Sequence, residues 1–201
     1  MTVIGITGPT GAGKTTVLNV LKELGGEVVD CDAVYHELLR TDIKLQTELK
    51  DRFGPEIFDE NGDLRRKELG VIVFKDKNAL ADLNAVTHRH IIAELDRRIA
   101  QAEAQGCPAV AMDAVALIES GVGERCKVTV AVTASEEVRS RRIMAREGIG
   151  EDYARSRIAA QKPAAWFEER CGHTLRNDGT REELERQARE LFRQILAKED
   201  R

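Results

Sequence analysis

Short apolar runs alternating with helical stretches predict an α/β fold, a parallel sheet flanked by helices. Three observations carry that prediction. Residues 2–7 are a β-branched apolar run that passes through Gly8, Gly11 and Gly13 into a helical pattern at 14–24. Two further apolar runs, 27–30 and 109–113, each end in an aspartate, and a third follows at 126–133. Residues 42–104 between them read as helices with charged faces and little strand, which marks an insertion rather than more sheet.

The whole chain limits the choices. Its 201 residues suit one α/β domain with an inserted subdomain. A hydrophobic content of 42% against 33% charged residues describes a globular protein rather than a disordered one. A net charge of -4 does not suggest a nucleic-acid partner, so any phosphate binding must be local. No run is long and apolar enough to predict a membrane span, and the N-terminus lacks the basic-then-apolar order of a signal peptide. Cys31, Cys107, Cys126 and Cys171 are scattered without a Cys-x-x-Cys pair, so they read as reduced thiols of a cytoplasmic protein.

The first element carries the strongest motif. Gly8, Gly13, Lys14 and Thr15 fit Gly-x-x-x-x-Gly-Lys-Ser/Thr between a strand and a helix, the context a phosphate-binding loop needs. Glycines let backbone N–H groups approach a polyphosphate, and the helix N-terminus adds a partial positive charge there. Lys14 suits the β- and γ-phosphates, and the Thr15 hydroxyl suits Mg²⁺. Gly25-Gly26 ends the helix, and the second strand, 27–30, runs into Asp30-Cys31-Asp32. Ligands of open α/β sheets sit at the carboxyl ends of strands, so one aspartate is a candidate for a substrate hydroxyl. Both could instead cap the helix expected at 33–40, the preferred reading for Asp30; for Asp32 the two readings stay open.

In the insertion, Ile43, Leu45, Leu49 and Phe53 form an amphipathic stretch broken by Gly54-Pro55, and Asn61-Gly62 marks a turn. A helix is expected at 64–74, with Arg65, Arg66 and Lys67 at its start reading on their own as a solvated face. Leu80, Leu83, Val86, Leu95 and Ile99 follow on a long helix; His88 and His90 are two apart and do not read as a metal pair. The run ending in Asp113 has the form of a Walker B strand, whose acid holds Mg²⁺ through water. After the fourth strand, Ser135 is a candidate N-cap with Glu136 and Glu137 in the first turn. Arg139, Arg141, Arg142, Arg146, Arg155 and Arg157 then lie on two helices around Gly148 and Gly150, which suggests a lid closing on phosphates. One or two of these arginines are expected to meet phosphate, the others to pair with Glu147, Glu151 and Asp152. A weak strand at 173–176, a turn at Asn177-Asp178-Gly179 and a helix opened by Thr180 and Glu183 complete the chain.

These segments, in order, resemble the dephospho-coenzyme A kinase family. The resemblance rests on Gly-Ile-Thr-Gly-x-x-Gly-x-Gly-Lys-Thr-Thr (5–16), Val-Val-Asp-Cys-Asp (28–32), His36-Glu37-Leu38, Asn61-Gly62-Asp63-Leu64-Arg65-Arg66 and Thr87-His88. It continues through Asp113, Leu117-Ile118-Glu119-Ser120-Gly121, Arg146-Glu147-Gly148, Arg157-Ile158-Ala159-Ala160-Gln161 and Asn177-Asp178-Gly179. It implies a P-loop NTPase fold, nucleoside monophosphate kinase-like, with a core at 1–41 and 105–201, a helical substrate-binding insertion at about 42–104 and a lid at about 139–160. It implies ATP and Mg²⁺, with Gly8, Gly11, Ala12, Gly13, Lys14, Thr15, Thr16 and Asn177 at the nucleotide, and Thr15 and, via water, Asp113 at the metal. Catalysis would fall to Asp32, Lys14 and Arg146, and dephospho-coenzyme A would be held by Asp32, Arg65 and His88. The partner implied is that small molecule, with no nucleic acid or membrane, for a monomer or weak homo-oligomer.

The chain departs from the family pattern in places. Asp113-Ala-Val-Ala-Leu-Ile-Glu119 lacks the proline often found after the acid, and Arg89 stands where proline often follows the histidine. Pro9-Thr10 replaces a smaller Gly-Ile pair, and Cys31 replaces alanine between the aspartates. Two other readings compete. One is a related kinase acting on a nucleotide or nucleoside, and the other a non-enzymatic nucleotide switch. Against the switch, the chain has no Asn-Lys-x-Asp guanine motif.

Overall fold

A computed structural model describes residues 1–197. The chain divides into two compact units, Met1–Asp30 with Ile99–Arg201, and Cys31–Arg98.

The first unit is a parallel sheet flanked by helices. Its strands are β1 (Thr2–Thr7), β2 (Glu27–Asp30), β3 (Ala109–Asp113), β4 (Val128–Thr133) and β5 (His173–Arg176). Among the described residues their order is β2-β3-β1-β4-β5, with every pair parallel. Parallel sheets are covered on both faces, which explains why Ile4, Ile6, Val110, Ala111, Met112, Val130 and Val132 are all fully buried. Asp113 pairs in register with Ile6 on one side and Asp30 on the other, so the carboxyl ends of β1, β2 and β3 finish level.

Helix α1 (Lys14–Glu23) follows β1 directly and buries Val17, Leu18, Val20 and Leu21. The last helix packs into the same core through Leu184, Ala188, Phe192 and Ile195. β4 begins at Val128 rather than Cys126, because Val122–Arg125 forms a 3-10 turn that Cys126 closes.

The second unit is helical: α2 (Cys31–Thr41), α3 (Ile43–Phe53), α4 (Arg66–Val73) and most of α5 (Lys77–Ala104). Asp42 caps α3, its Oδ1 accepting from Lys44 N at 2.9 Å and Leu45 N at 3.1 Å. α2 starts at Cys31, ahead of the expected 33, so Asp32 lies in its first turn. α4 starts at Arg66, behind the expected 64. Asp59 Oδ1 accepts from Asn61 N and Asp63 N, both at 2.9 Å, and this turn pairs Leu64 with Phe58 as a short bridge.

The first unit continues with α6 (Glu136–Glu147), α7 (Glu151–Ala159), α8 (Ala164–Glu168) and α9 (Arg181–Ala197). Ser135 caps α6 as expected, its hydroxyl accepting from Val138 N at 3.4 Å. Thr180 Oγ1 accepts from Glu183 N at 3.2 Å at the start of α9. The five-residue α8 was not foreseen; Pro163 stands at its N-cap. Among the described residues, no helix is long and apolar enough to cross a membrane.

Candidate active site

The site begins with the turn after β1. Gly8 has φ 138°, and a Cβ there would stand 2.0 Å from the Val132 carbonyl oxygen of β4. Gly13 has φ 105°, and a Cβ there would meet Asn177 Nδ2 at 2.3 Å. Both places accept only glycine, so the loop is drawn tightly against the sheet end. Ala12 N donates to Pro9 O at 3.2 Å, and Thr16 N to Gly13 O at 3.0 Å, which curls the backbone into α1. Gly13 caps α1 without a side-chain acceptor, so no side chain competes with an anion for the N-terminal end of the helix.

A cavity of about 360 Å³ opens over this loop. Thr10, Gly11, Gly13, Lys14 and Thr15 line it from the loop, and Asp113 from β3. Arg142 and Arg146 line it from α6, and Arg157 from α7. All these residues belong to the first unit. Lys14 Nζ donates to Gly8 O at 3.2 Å, which holds the ammonium across the loop. The hydroxyl of Thr15 and the carboxylate of Asp113 are hard oxygen donors, the ligand type Mg²⁺ takes.

Charge in the cavity is unbalanced. Glu147 accepts from Arg146 Nη2 at 2.6 Å and also pairs with Arg157. Hydrogen bonds from Arg146, then from Arg157, hold its carboxyl below the usual carboxylate range. One carboxylate therefore answers two guanidinium groups. Arg142 donates to Asn177 O at 3.0 Å and Asn177 Oδ1 at 3.2 Å, both neutral oxygens. Burial pushes its pKa down, with Asp178 pulling the other way. Of the remaining arginines on α6 and α7, Arg155 pairs with Glu151 at 2.6 Å and Arg141 with Glu137 at 3.8 Å. Cavity and ion-pair positions overlap, because Arg146 and Arg157 line the cavity and also pair with Glu147, whereas Arg142 lines it without a carboxylate partner.

Asn177 is 5% exposed, and its side chain holds the loop: Nδ2 donates to Ala12 O at 2.8 Å while Oδ1 accepts from Arg142. Arg139 and Gln161 also reach the loop, at Thr10, and neither was picked out as a site residue. The available signal was the match of Gln161 to Arg-Ile-x-x-Gln; Arg139 had none beyond its place in an arginine-dense stretch.

The other expected residues lie in the second unit. Asp32 is exposed in the first turn of α2, and His88 is exposed on α5. Arg65 is exposed before α4, its N–H donating to Ile57 O at 2.7 Å. The structure adds a pair that sequence reasoning passed over. Arg66 Nη2 lies 2.9 Å from His36 Nδ1, a hydrogen bond to a ring nitrogen rather than to a carboxylate. His90, beside His88 in sequence, is bound instead to Asp42 at 2.7 Å.

Comparison with known proteins agrees with this geometry. The family model described as dephospho-CoA kinase (CoaE) matches residues 2–183. A dephospho-CoA kinase of Geobacter sulfurreducens is 35% identical over 192 residues, covering 96% of this chain and 98% of the relative. The crystal structure of TT1252 from Thermus thermophilus superposes with TM-score 0.77 at 34% identity, covering 96% of this chain and 97% of that one. The dephospho-CoA kinase of Campylobacter jejuni shares the fold with TM-score 0.69 at 20% identity, over 98% of both chains. A glycine loop, an aspartate at the end of a parallel strand and excess arginine around one cavity are thus joined to a family match over residues 2–183, and the chain belongs to the dephospho-CoA kinase family.

Proposed function

We propose that this protein transfers the γ-phosphoryl group of ATP to the ribose 3′-hydroxyl of dephospho-coenzyme A, giving coenzyme A and ADP. The observation that carries this reading is the loop cavity, where Lys14, Thr15, Asp113 and three arginines surround one hollow in a chain of this family. The loop residues Gly8, Gly11, Ala12, Gly13 and Thr16 would surround the phosphates of ATP, with Asn177 holding the loop in shape. Thr15 and Asp113 would hold Mg²⁺, which when bound neutralises charge on the phosphates.

The chain's own groups then divide the work. Lys14 and Arg146 oppose the charge that builds on the transferring phosphoryl group. Asp32 orients the acceptor hydroxyl and takes its proton, and Arg65 and His88 bind the rest of the acceptor. Direct transfer of this kind is mostly positioning plus electrostatics. The net charge of -4 and the lack of a candidate membrane helix among the described residues support a cytoplasmic enzyme acting on small molecules, as a monomer or weak homo-oligomer.

The test is ADP release with ATP and Mg²⁺, comparing dephospho-coenzyme A, nucleoside monophosphates and no acceptor. Release only with dephospho-coenzyme A is expected. Release with another acceptor keeps the kinase and moves the substrate. Asp32→Asn should cut turnover by about 10²-fold or more while leaving ATP affinity intact; full turnover would remove Asp32 from the mechanism.

A further inference from the structure

Both limbs of the α6–α7 pair are tied to one residue of the glycine loop. From α6, Arg139 Nε donates to Thr10 O at 2.9 Å. From just beyond α7, Gln161 Oε1 accepts from Thr10 N at 3.0 Å, and Gln161 Nε2 donates to Thr10 Oγ1 at 2.8 Å. Arg139 Nη2 closes the triangle on Gln161 Oε1 at 2.8 Å. Thr10 is thus held through its N–H, its carbonyl and its hydroxyl.

Three features make this more than loop packing. Arg139 is 1% exposed, and both of these acceptors are neutral oxygens, so losing either leaves a buried guanidinium donor without its partner. Burial accordingly holds its pKa below the ordinary arginine value. The helix pair also has a small apolar core of its own, Ile143, Ala154 and Ile158, while its tie to Thr10 is polar. That pair carries Arg142, Arg146 and Arg157 to the cavity, and Gln161 follows the end of the helix that carries Arg157. A shift at Thr10 would therefore move the arginines against the loop N–H groups. The hydroxyl comes from the departure already noted at residues 9–10.

We propose that Thr10, Arg139 and Gln161 are positioning residues that lock the glycine loop to the arginine-bearing helix pair, so that a nucleoside triphosphate meets both in one register. The inference rests on the nucleotide reading of the loop. Thr10→Val keeps the side-chain shape and the backbone bonds and removes only the acceptor of Gln161 Nε2. In calorimetric titration with ATP·Mg²⁺ and no acceptor, its dissociation constant should rise about 3- to 10-fold. The KM for ATP should rise in parallel while the acceptor KM stays put. Thr10→Ser should restore both. Gln161→Ala should weaken ATP more, and adding Thr10→Val to it should cost nothing further, because the hydroxyl acts through the amide.

Wild-type affinity in Thr10→Val overturns the positioning role alone, as do effects of the two variants that simply multiply. Wild-type protein that fails to bind ATP·Mg²⁺ overturns the nucleotide reading and this role with it. A Gln161→Ala protein that fails to fold leaves Thr10→Val and its serine rescue to decide the matter.

Discussion

Most arginines of the helical unit and those around the glycine loop meet different partners. In Cys31–Arg98, Arg52 pairs with Asp82 at 2.6 Å, Arg89 with Glu48, and Arg98 with Glu37 at 2.6 Å and Glu94 at 2.7 Å. Around the glycine loop, Arg139 and Arg142 donate to carbonyl and amide oxygens, and Arg146 and Arg157 share the single carboxylate of Glu147. A guanidinium on a neutral oxygen that also lines a cavity, as Arg142 does, keeps its charge available to an incoming anion; one matched to its own carboxylate largely does not. The loop therefore gathers positive charge in a chain whose net charge is -4. How many arginines a stretch contains does not locate an anion site; what they are bonded to does.

The sharpest way to break this contrast is to remove, from the same helix pair, one cavity arginine that shares its carboxylate with a second arginine and one exposed arginine with a carboxylate of its own. Arg146→Gln is expected to lower kcat/KM by about 10²-fold, the scale of losing one positioned charge at a transition state. Arg155, with 71% of its side chain exposed and Glu151 beside it, should give about a twofold change or less as Arg155→Gln. Steady-state assays of both variants decide it, and equal losses would erase the distinction.

What was readable in the sequence divides along similar lines. The glycine loop, the strand ending in Asp113 and the N-cap at Ser135 are local signals, and each element formed where its residues pointed. The network at Thr10 joins residues 129 and 151 positions apart, and no local pattern reports such a distance. The start of α4 was misplaced because Leu64 looks helical by spacing, whereas the Asp59 turn returns it to pair with Phe58. Arg66 was read as part of a solvated face because its partner, His36, is thirty residues away.

Arg66 also sharpens the comparison, being an arginine of the second unit that rests on an imidazole nitrogen rather than a carboxylate. If the acceptor type marks an anion site, Arg66 should meet a phosphate of the acceptor substrate. Arg66→Gln should raise the acceptor KM about tenfold and leave the KM for ATP unchanged. Arg52→Gln, whose charge is matched to Asp82 in the same unit, should alter neither. A rise in the ATP constant with Arg66→Gln would place that side chain at the wrong substrate.

The smallest expected effect tests the matched side of the contrast. Glu94 accepts from Arg97 Nε and Arg98 Nε, each at 2.7 Å. The hydrogen bond from Arg97, followed by that from Arg98, brings its pKa from 4.5 down to about 2. A carboxyl depressed by folding stabilises the protein above its unfolded pKa, and that stability is lost as pH falls through the folded value. The Glu94 contribution should thus be full above pH 4.5 and disappear towards about pH 2. Glu94→Gln should lower the melting temperature near neutrality by about 3 °C, corresponding to about 1 kcal/mol. The melting curves of variant and wild type should then converge in acid. If they stay parallel from pH 7 to about pH 2, the pairing of Glu94 does not stabilise the helical unit as ions, and matched charge in that unit would have to be explained by solubility alone.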